Sequence, residues 1–202
     1  MEALMMTLSS GAVSGIRPYL MLFMLGIADR FFQVGVVPDV MGRTDVLVIT
    51  GILLVVDFLA DKVAFLDSVW DAIHTVVRPI AGGAIGFLLG GETDTANAVV
   101  LAAVGAFSAL SVHAAKAGTR AVVNASPEPV SNVLVSTGED IAAVVLALLA
   151  VLLPILAGAV AVIVIIGAIA GAFLLFRTAR RIRERFRGSE APAARTAEAR
   201  MR

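Results

Sequence analysis

Long apolar runs alternate with short clusters of charge along this chain, and the runs have helical length. Residues 18–34 stay apolar until Asp29 and Arg30, and residues 45–66 stay apolar until Asp57. Residues 68–90 are polar in their first half and small and apolar in the second, and residues 95–117 form another run that ends in charge. A bilayer core of about 30 Å needs roughly 20 residues of helix, so each run predicts a span. Residues 141–176 contain no charged side chain. As one helix they would measure about 54 Å, too long for a single span even with tilt. Pro154 and Gly158 lie near the middle of this stretch and predict a helical hairpin over 139–177, with a long broken helix as the alternative. The expected fold is all-α. It is a polytopic transmembrane helical bundle of about six spans over residues 1–178, followed by a basic tail at 179–202.

Composition agrees with lipid as the solvent. Of 202 residues, 59% are hydrophobic and 16% charged, with a mean hydropathy of +0.94. A soluble domain carries about a quarter charged residues. The formal net charge is zero and aromatics make up 6% of the chain, which argues against nucleic acid as a partner. There is no cysteine and there are two histidines, so thiolate chemistry and a His-rich zinc site are excluded. No organic cofactor is expected, and any cation would be a hard one held by carboxylates. Arginine outnumbers lysine fourteen to two, and with the Ala, Val and Gly excess this suggests a GC-rich bacterial genome. The first residues lack a basic segment and do not read as a cleaved signal peptide.

Residues 177–188 carry six arginines against one glutamate. The positive-inside rule places that end in the cytoplasm, in a multi-pass protein of the bacterial cytoplasmic membrane. An anionic-lipid site is the alternative reading of the same arginines. The tail beyond them has no apolar periodicity and is expected to be largely disordered. Two Arg-Pro steps, Arg17-Pro18 and Arg78-Pro79, each enter an apolar segment. Leu59-Ala60-Asp61-Lys62 also resembles His113-Ala114-Ala115-Lys116, and these hold the only two lysines. The pattern suggests internal repeats over about 9–66 and 70–123, inverted in the way of many transporters, with broken or re-entrant helices. The polar segment 124–140 is an ordinary loop or such a re-entrant element. Gly11 and Gly15 allow a break before Pro18, whose free N–H groups beside Arg17 would suit an anion.

An ionisable side chain near mid-bilayer costs roughly 2.5–3.5 kcal/mol, so such residues face a partner or a cavity. Here they share faces. Asp67, Asp71, His74 and Arg78 fall within an arc of about 60° on a helix, with Trp70, Ile73, Val76 and Val77 assigned to other faces. Gly82, Gly86 and Gly90 follow as a row for close helix packing. Asp57 and Asp61 are four apart and repel one another unless one is protonated, a cation sits between them, or Lys62 or an arginine approaches. His113, Lys116 and Arg120 also share one face. Glu139 and Asp140 are expected to open the next helix, where acids suit the dipole.

The run DFLADKVAFLDSVWDAIHTVVRPIAGG (57–83), followed by SVHAAKAGTRAVVNASPEPVSNVLVSTGEDIAAVVLALL, resembles bacterial membrane proteins of the domain of unknown function 4126 family, from Gly15 to about Pro154. The resemblance implies an integral membrane protein and no particular activity. Function is therefore read from the residues. The leading expectation is a transporter or flippase-like carrier for a small or lipid-linked anion. Arg17, Arg78, His113, Lys116 and Arg120 would bind substrate, and Asp57, Asp61, Asp67, Asp71 and His74 would couple to protons or a cation. One alternative is a membrane enzyme acting on a lipid phosphate, in which Asp67, Asp71 and His74 hold Mg²⁺ or perform acid/base chemistry, although the spacing matches no strong catalytic motif. Another is a channel or non-catalytic subunit of a membrane complex. Partners would be the bilayer, an anionic lipid or small anion, and, compatibly with the sequence, further copies of the chain.

Overall fold

The computed structural model describes the backbone of residues 1–91, 94–124 and 129–200. It describes their side chains except at 64, 67, 68, 122–124, 129–132, 179 and 182–200. All regular structure among the described residues is helical: α1 Glu2–Ile16, α2 Pro18–Phe32, α3 Thr44–Ala60, α4 Ala64–Gly90, α5 Thr95–Asn124, α6 Pro129–Leu152 and α7 Pro154–Arg200. Four of them contain stretches long and apolar enough to cross a membrane: Val69–Gly90, Thr95–Ala121, Val133–Leu152 and Pro154–Thr178. Helices α1, α2 and α3 have 15, 15 and 17 residues. At 1.5 Å per residue they are about 22–26 Å long, shorter than a bilayer core.

Two X-Pro steps set the chain path. Arg17 donates its N–H to the Val13 carbonyl and accepts from the Met21 N–H, so it closes α1 and opens α2. Leu153 does the same between Leu149 and Ala157. The proline that follows each has no N–H to continue the helix. Well before the second step, Asp140 of α6 reaches Arg17 at the end of α1. Gly158 of α7 lies against Met5 near the start of α1, and Leu175 lies against Gly118, far along α5. The chain thus descends α1 on α6 and rises again on α7. At the first step α2 descends beside α6, and α3 returns to bring Asp57 and Asp61 back to Arg17. The helices alternate in direction, and the α3–α4 turn marks the end called upper below.

The lower half is a seam of small residues. A Cβ on Gly82 would strike the Gly105 carbonyl, and one on Gly86 would strike that of Leu101, so the backbones of α4 and α5 nearly touch, as the glycine row implies. Gly11 and Gly15 have the same use against α5. The break expected in this segment falls at Arg17, after both glycines, where α1 ends at Ile16 and α2 begins at Pro18. From this seam up to the level of the charges above it, the outer surface of α7 is apolar. On α7, Ile155, Ile163, Ile166, Phe173 and Phe176 are all more than 60% exposed, a surface suited to hydrocarbon and not to water.

The Arg78-Pro79 step differs from the first, because Pro79 lies inside α4 and the helix continues past it. Helix α7 extends to Arg200, and residues 201–202 of the tail, with residues 125–128 of the segment 124–140, lie outside the described residues. Glu139 and Asp140 do not open a helix. They sit about ten residues inside α6, which starts at Pro129, and their side chains pair with Lys62, Arg17 and Arg120 in the bundle.

Candidate functional site, a buried ion network

The upper half of the bundle holds the charge. Helical periodicity puts Asp71, His74 and Arg78 on one face of α4, His113, Lys116 and Arg120 on one face of α5, and Asp61 above Asp57 at the end of α3. The glycine seam below draws α4 and α5 together, so these faces meet. Arg17, at the break between α1 and α2, enters the same space.

Arg17 sits between the paired aspartates. Its Nη1 donates to Asp57 Oδ2 at 2.8 Å and to the Asp57 carbonyl at 3.0 Å, and its Nη2 donates to Asp61 Oδ2 at 2.7 Å. Its Nε donates to Asp140 Oδ1 at 2.6 Å. Of the ways to tolerate two carboxylates four residues apart, the fold uses an arginine from another helix. Asp61 also takes Lys116 Nζ at 3.1 Å and Arg120 Nη2 at 3.4 Å. Arg120 and Lys116 reach Glu139 at 2.8 and 3.6 Å. Arg78 Nη2 pairs with Asp71 Oδ1 at 2.8 Å. Lys62 donates to Asp140 and Ser136, both at 2.8 Å, and lies over the Phe58 ring.

Five cations (Arg17, Lys62, Arg78, Lys116, Arg120) therefore face five anions (Asp57, Asp61, Asp71, Glu139, Asp140), and each cation touches a carboxylate. Asp57, Asp61 and Arg78 are 0% exposed and Arg17 2%. Among the described residues, the network is most open at Lys62, Asp140 and Glu139, whose side chains are 24, 14 and 16% exposed. Burying so many charges costs several kcal/mol per ion, and a well-packed apolar core would be at least as stable. Stability alone does not explain the cluster.

The histidines are held differently. His113 Nδ1 faces the Arg78 guanidinium, which can only donate, so Nδ1 accepts and the ring is neutral. Its Nε2–H then donates to Thr75 Oγ1 at 3.0 Å, and that hydroxyl donates to the Asp71 carbonyl at 3.0 Å. His74 Nδ1 lies 2.8 Å from the Trp70 carbonyl, an acceptor, so Nδ1 carries the proton. Trp70 does not point to another face. Four residues before His74, it lies on the same side of α4, packs on the imidazole with ring centroids 4.8 Å apart, and donates Nε1–H to Asp57 Oδ1 at 2.7 Å.

Nine of the ten residues expected to form the site converge here. The side chain of the tenth, Asp67, lies outside the described residues. Lys62, Trp70, Thr75, Ser136, Glu139 and Asp140 join them without having been assigned to the site from sequence. Among the described residues, no three His, Asp or Glu side chains are grouped as a metal ion would require. An apolar cavity of about 300 Å³ between α2, α3 and α6 meets the network from the side. It is lined by Leu20, Leu54, Val55, Phe58, Leu59 and Val144, and the side chains of Arg17 and Asp140 border it.

Apolar outer faces, membrane-length helices and a charged interior define a polytopic α-helical membrane protein. The chain belongs to the family described as a domain of unknown function, DUF4126, whose sequence profile matches residues 4–173. No curated protein and no solved structure matches it.

Proposed function

We propose that this protein is a membrane carrier for an amphiphilic anion, of which a lipid with an anionic headgroup is the leading candidate. One observation carries the reading: an apolar cavity between α2, α3 and α6 is bordered by Arg17 and Asp140, two members of the buried ion network. A hydrocarbon chain fits the walls. An anionic head that passed from the cavity to Arg17 would compete with Asp57, Asp61 and Asp140 for it, and the short elbow at Arg17-Pro18 is where that exchange would move backbone. Cavities of this size take a part of a lipid and not the whole of it, as a carrier that passes a headgroup would require. The cytoplasmic placement of the arginine-rich end belongs to the same reading.

The test is translocation of fluorescent phosphatidylglycerol in proteoliposomes, read by dithionite quenching, with phosphatidylcholine as comparison. The protein should accelerate movement of the anionic lipid. Val144→Trp, which fills the cavity, and Asp140→Asn should slow it at least about tenfold, equivalent to 1.4 kcal/mol in the barrier. Equal rates with protein-containing and protein-free vesicles would sink the proposal.

A second reading, a non-catalytic subunit of a membrane complex, draws on the mutual pairing of all five cations with carboxylates. Its mark would be a partner that co-purifies at fixed stoichiometry.

A further inference from the structure

The network is neutral as it stands, and within it one buried base has a lone pair without a hydrogen bond. His74 is 1% exposed. Its Nδ1–H is committed to the Trp70 carbonyl, which leaves Nε2 as an acceptor, and Nε2 has no hydrogen-bond partner. What faces it is another acceptor, Asp57 Oδ1, at 4.0 Å. That oxygen accepts one hydrogen bond, from Trp70 Nε1, and keeps a second lone pair. Two buried acceptors thus stand 4.0 Å apart with no proton between them, and a proton on one would draw them together to hydrogen-bond distance. We infer that His74 Nε2 and Asp57 Oδ1 form a proton-binding site, in which a proton on His74 is hydrogen-bonded to Asp57.

The surroundings fix the ring for this. Trp70 packs on one side and the edge of Tyr19, from α2, meets the imidazole with ring centroids 5.6 Å apart. The charges near the ring are Asp57 from α3, Asp71 and Arg78 on α4 itself, His113 and Lys116 from α5, and Arg17 behind Asp57. Asp71 is already paired with Arg78, and Lys116 with Asp61. The carboxylate that gains from a proton on His74 is therefore Asp57. His113 cannot play this part, because both of its ring nitrogens are engaged and a proton on Nδ1 would confront the Arg78 guanidinium.

A proton here has a direct mechanical consequence. Asp57 holds Arg17 through its other oxygen at 2.8 Å. Once His74 is a cation, Asp57 is shared between two positive partners, and the hold on the α1–α2 elbow weakens. That the movement drives transport rests on the carrier reading. The proton site itself does not.

The experiment is correspondingly independent of transport. The chain has one tryptophan and two histidines, so Trp70 fluorescence reports the ring beside it, and imidazole carbon labelling gives two resonances. In intact protein in nanodiscs, acidification from pH 8 to 5 should quench Trp70 along a one-proton curve and move one histidine resonance while the other stays fixed. His113→Gln assigns the moving resonance to His74. His74→Gln should abolish the quench. Asp57→Asn, by removing the opposite charge, should shift the midpoint to lower pH by about 1 unit or more. If His74→Gln proves unstable, the two resonances of the unsubstituted protein still decide. A quench that survives His74→Gln, or histidine resonances that both stay fixed, would overturn the site. A normal titration with no transport would refute the carrier and leave the proton site standing.

Discussion

At the residue scale, Asp61 is the keystone of the network, since Arg17, Lys116 and Arg120 all point to it. Replacing it with Asn leaves three buried guanidinium and ammonium groups short of a counter-charge. Removal of one partner from a buried ion pair costs about 3–5 kcal/mol, so Asp61→Asn should markedly lower the melting temperature in detergent. Arg43→Ala is the control. Its partner Asp45 and Arg43 itself are 56 and 62% exposed, and exposed pairs contribute little, so no shift in melting temperature is expected. Equal melting of both variants would remove Asp61 from its central place. Most of this chemistry was legible in the sequence, because spacings of three and four residues translate directly into helical faces. Glu139 and Asp140 were not legible as network members. An acidic pair after a polar, proline-bearing segment has the pattern of a helix start, and only the true start at Pro129 shows otherwise.

At the element scale, the meeting of the α4 and α5 faces depends on the glycine seam beneath them. A side chain at Gly86 would be driven into the Leu101 carbonyl, and neither backbone can yield without separating the helices. Gly86→Val should cost about 1–3 kcal/mol and also weaken the Arg78–His113 and Arg120–Glu139 contacts above. The readout is loss of thermal stability together with a change in Trp70 emission. Emission that stays unchanged would mean that the seam and the network are independent. The reversal between α6 and α7 has its own test. The chain has no cysteine, so introduced pairs cross-link without background. Met5→Cys with Gly158→Cys, and Gly118→Cys with Leu175→Cys, should both give disulfides on oxidation, since those residues touch. A straight continuation of α6 into α7 could supply the first pair and never the second. The sequence showed that 141–176 must be broken, from length and Pro154 alone. Which neighbours each piece packs on is set by small residues such as Ala157, Ala161 and Ala168, and alanines carry no signature of their partner.

At the scale of the whole molecule, topology decides which side of the membrane can supply a proton to His74. The alternating helices put the α3–α4 turn, the ion network and the end of the α7 span at one end of the bundle. The α2–α3 loop lies at the other. The six arginines of 177–188 follow the α7 span on the network's side, and the bias of arginine and lysine toward the cytoplasm would orient this side inward. Two fusions and one label test the arrangement. Green fluorescent protein at the C-terminus should fluoresce and alkaline phosphatase there should be inactive. Gly35→Cys, in the α2–α3 loop with open space around its Cβ, should react with a membrane-impermeant maleimide added outside the cytoplasmic membrane. If both ends of the bundle report the same side, the alternation of helices is wrong and the network cannot be assigned to either face. If they report opposite sides as expected, His74 lies in the cytoplasmic half, nearest the network's partly exposed edge of Lys62, Glu139 and Asp140. Lowering internal pH should then quench Trp70 in inside-sealed vesicles, and lowering external pH alone should not.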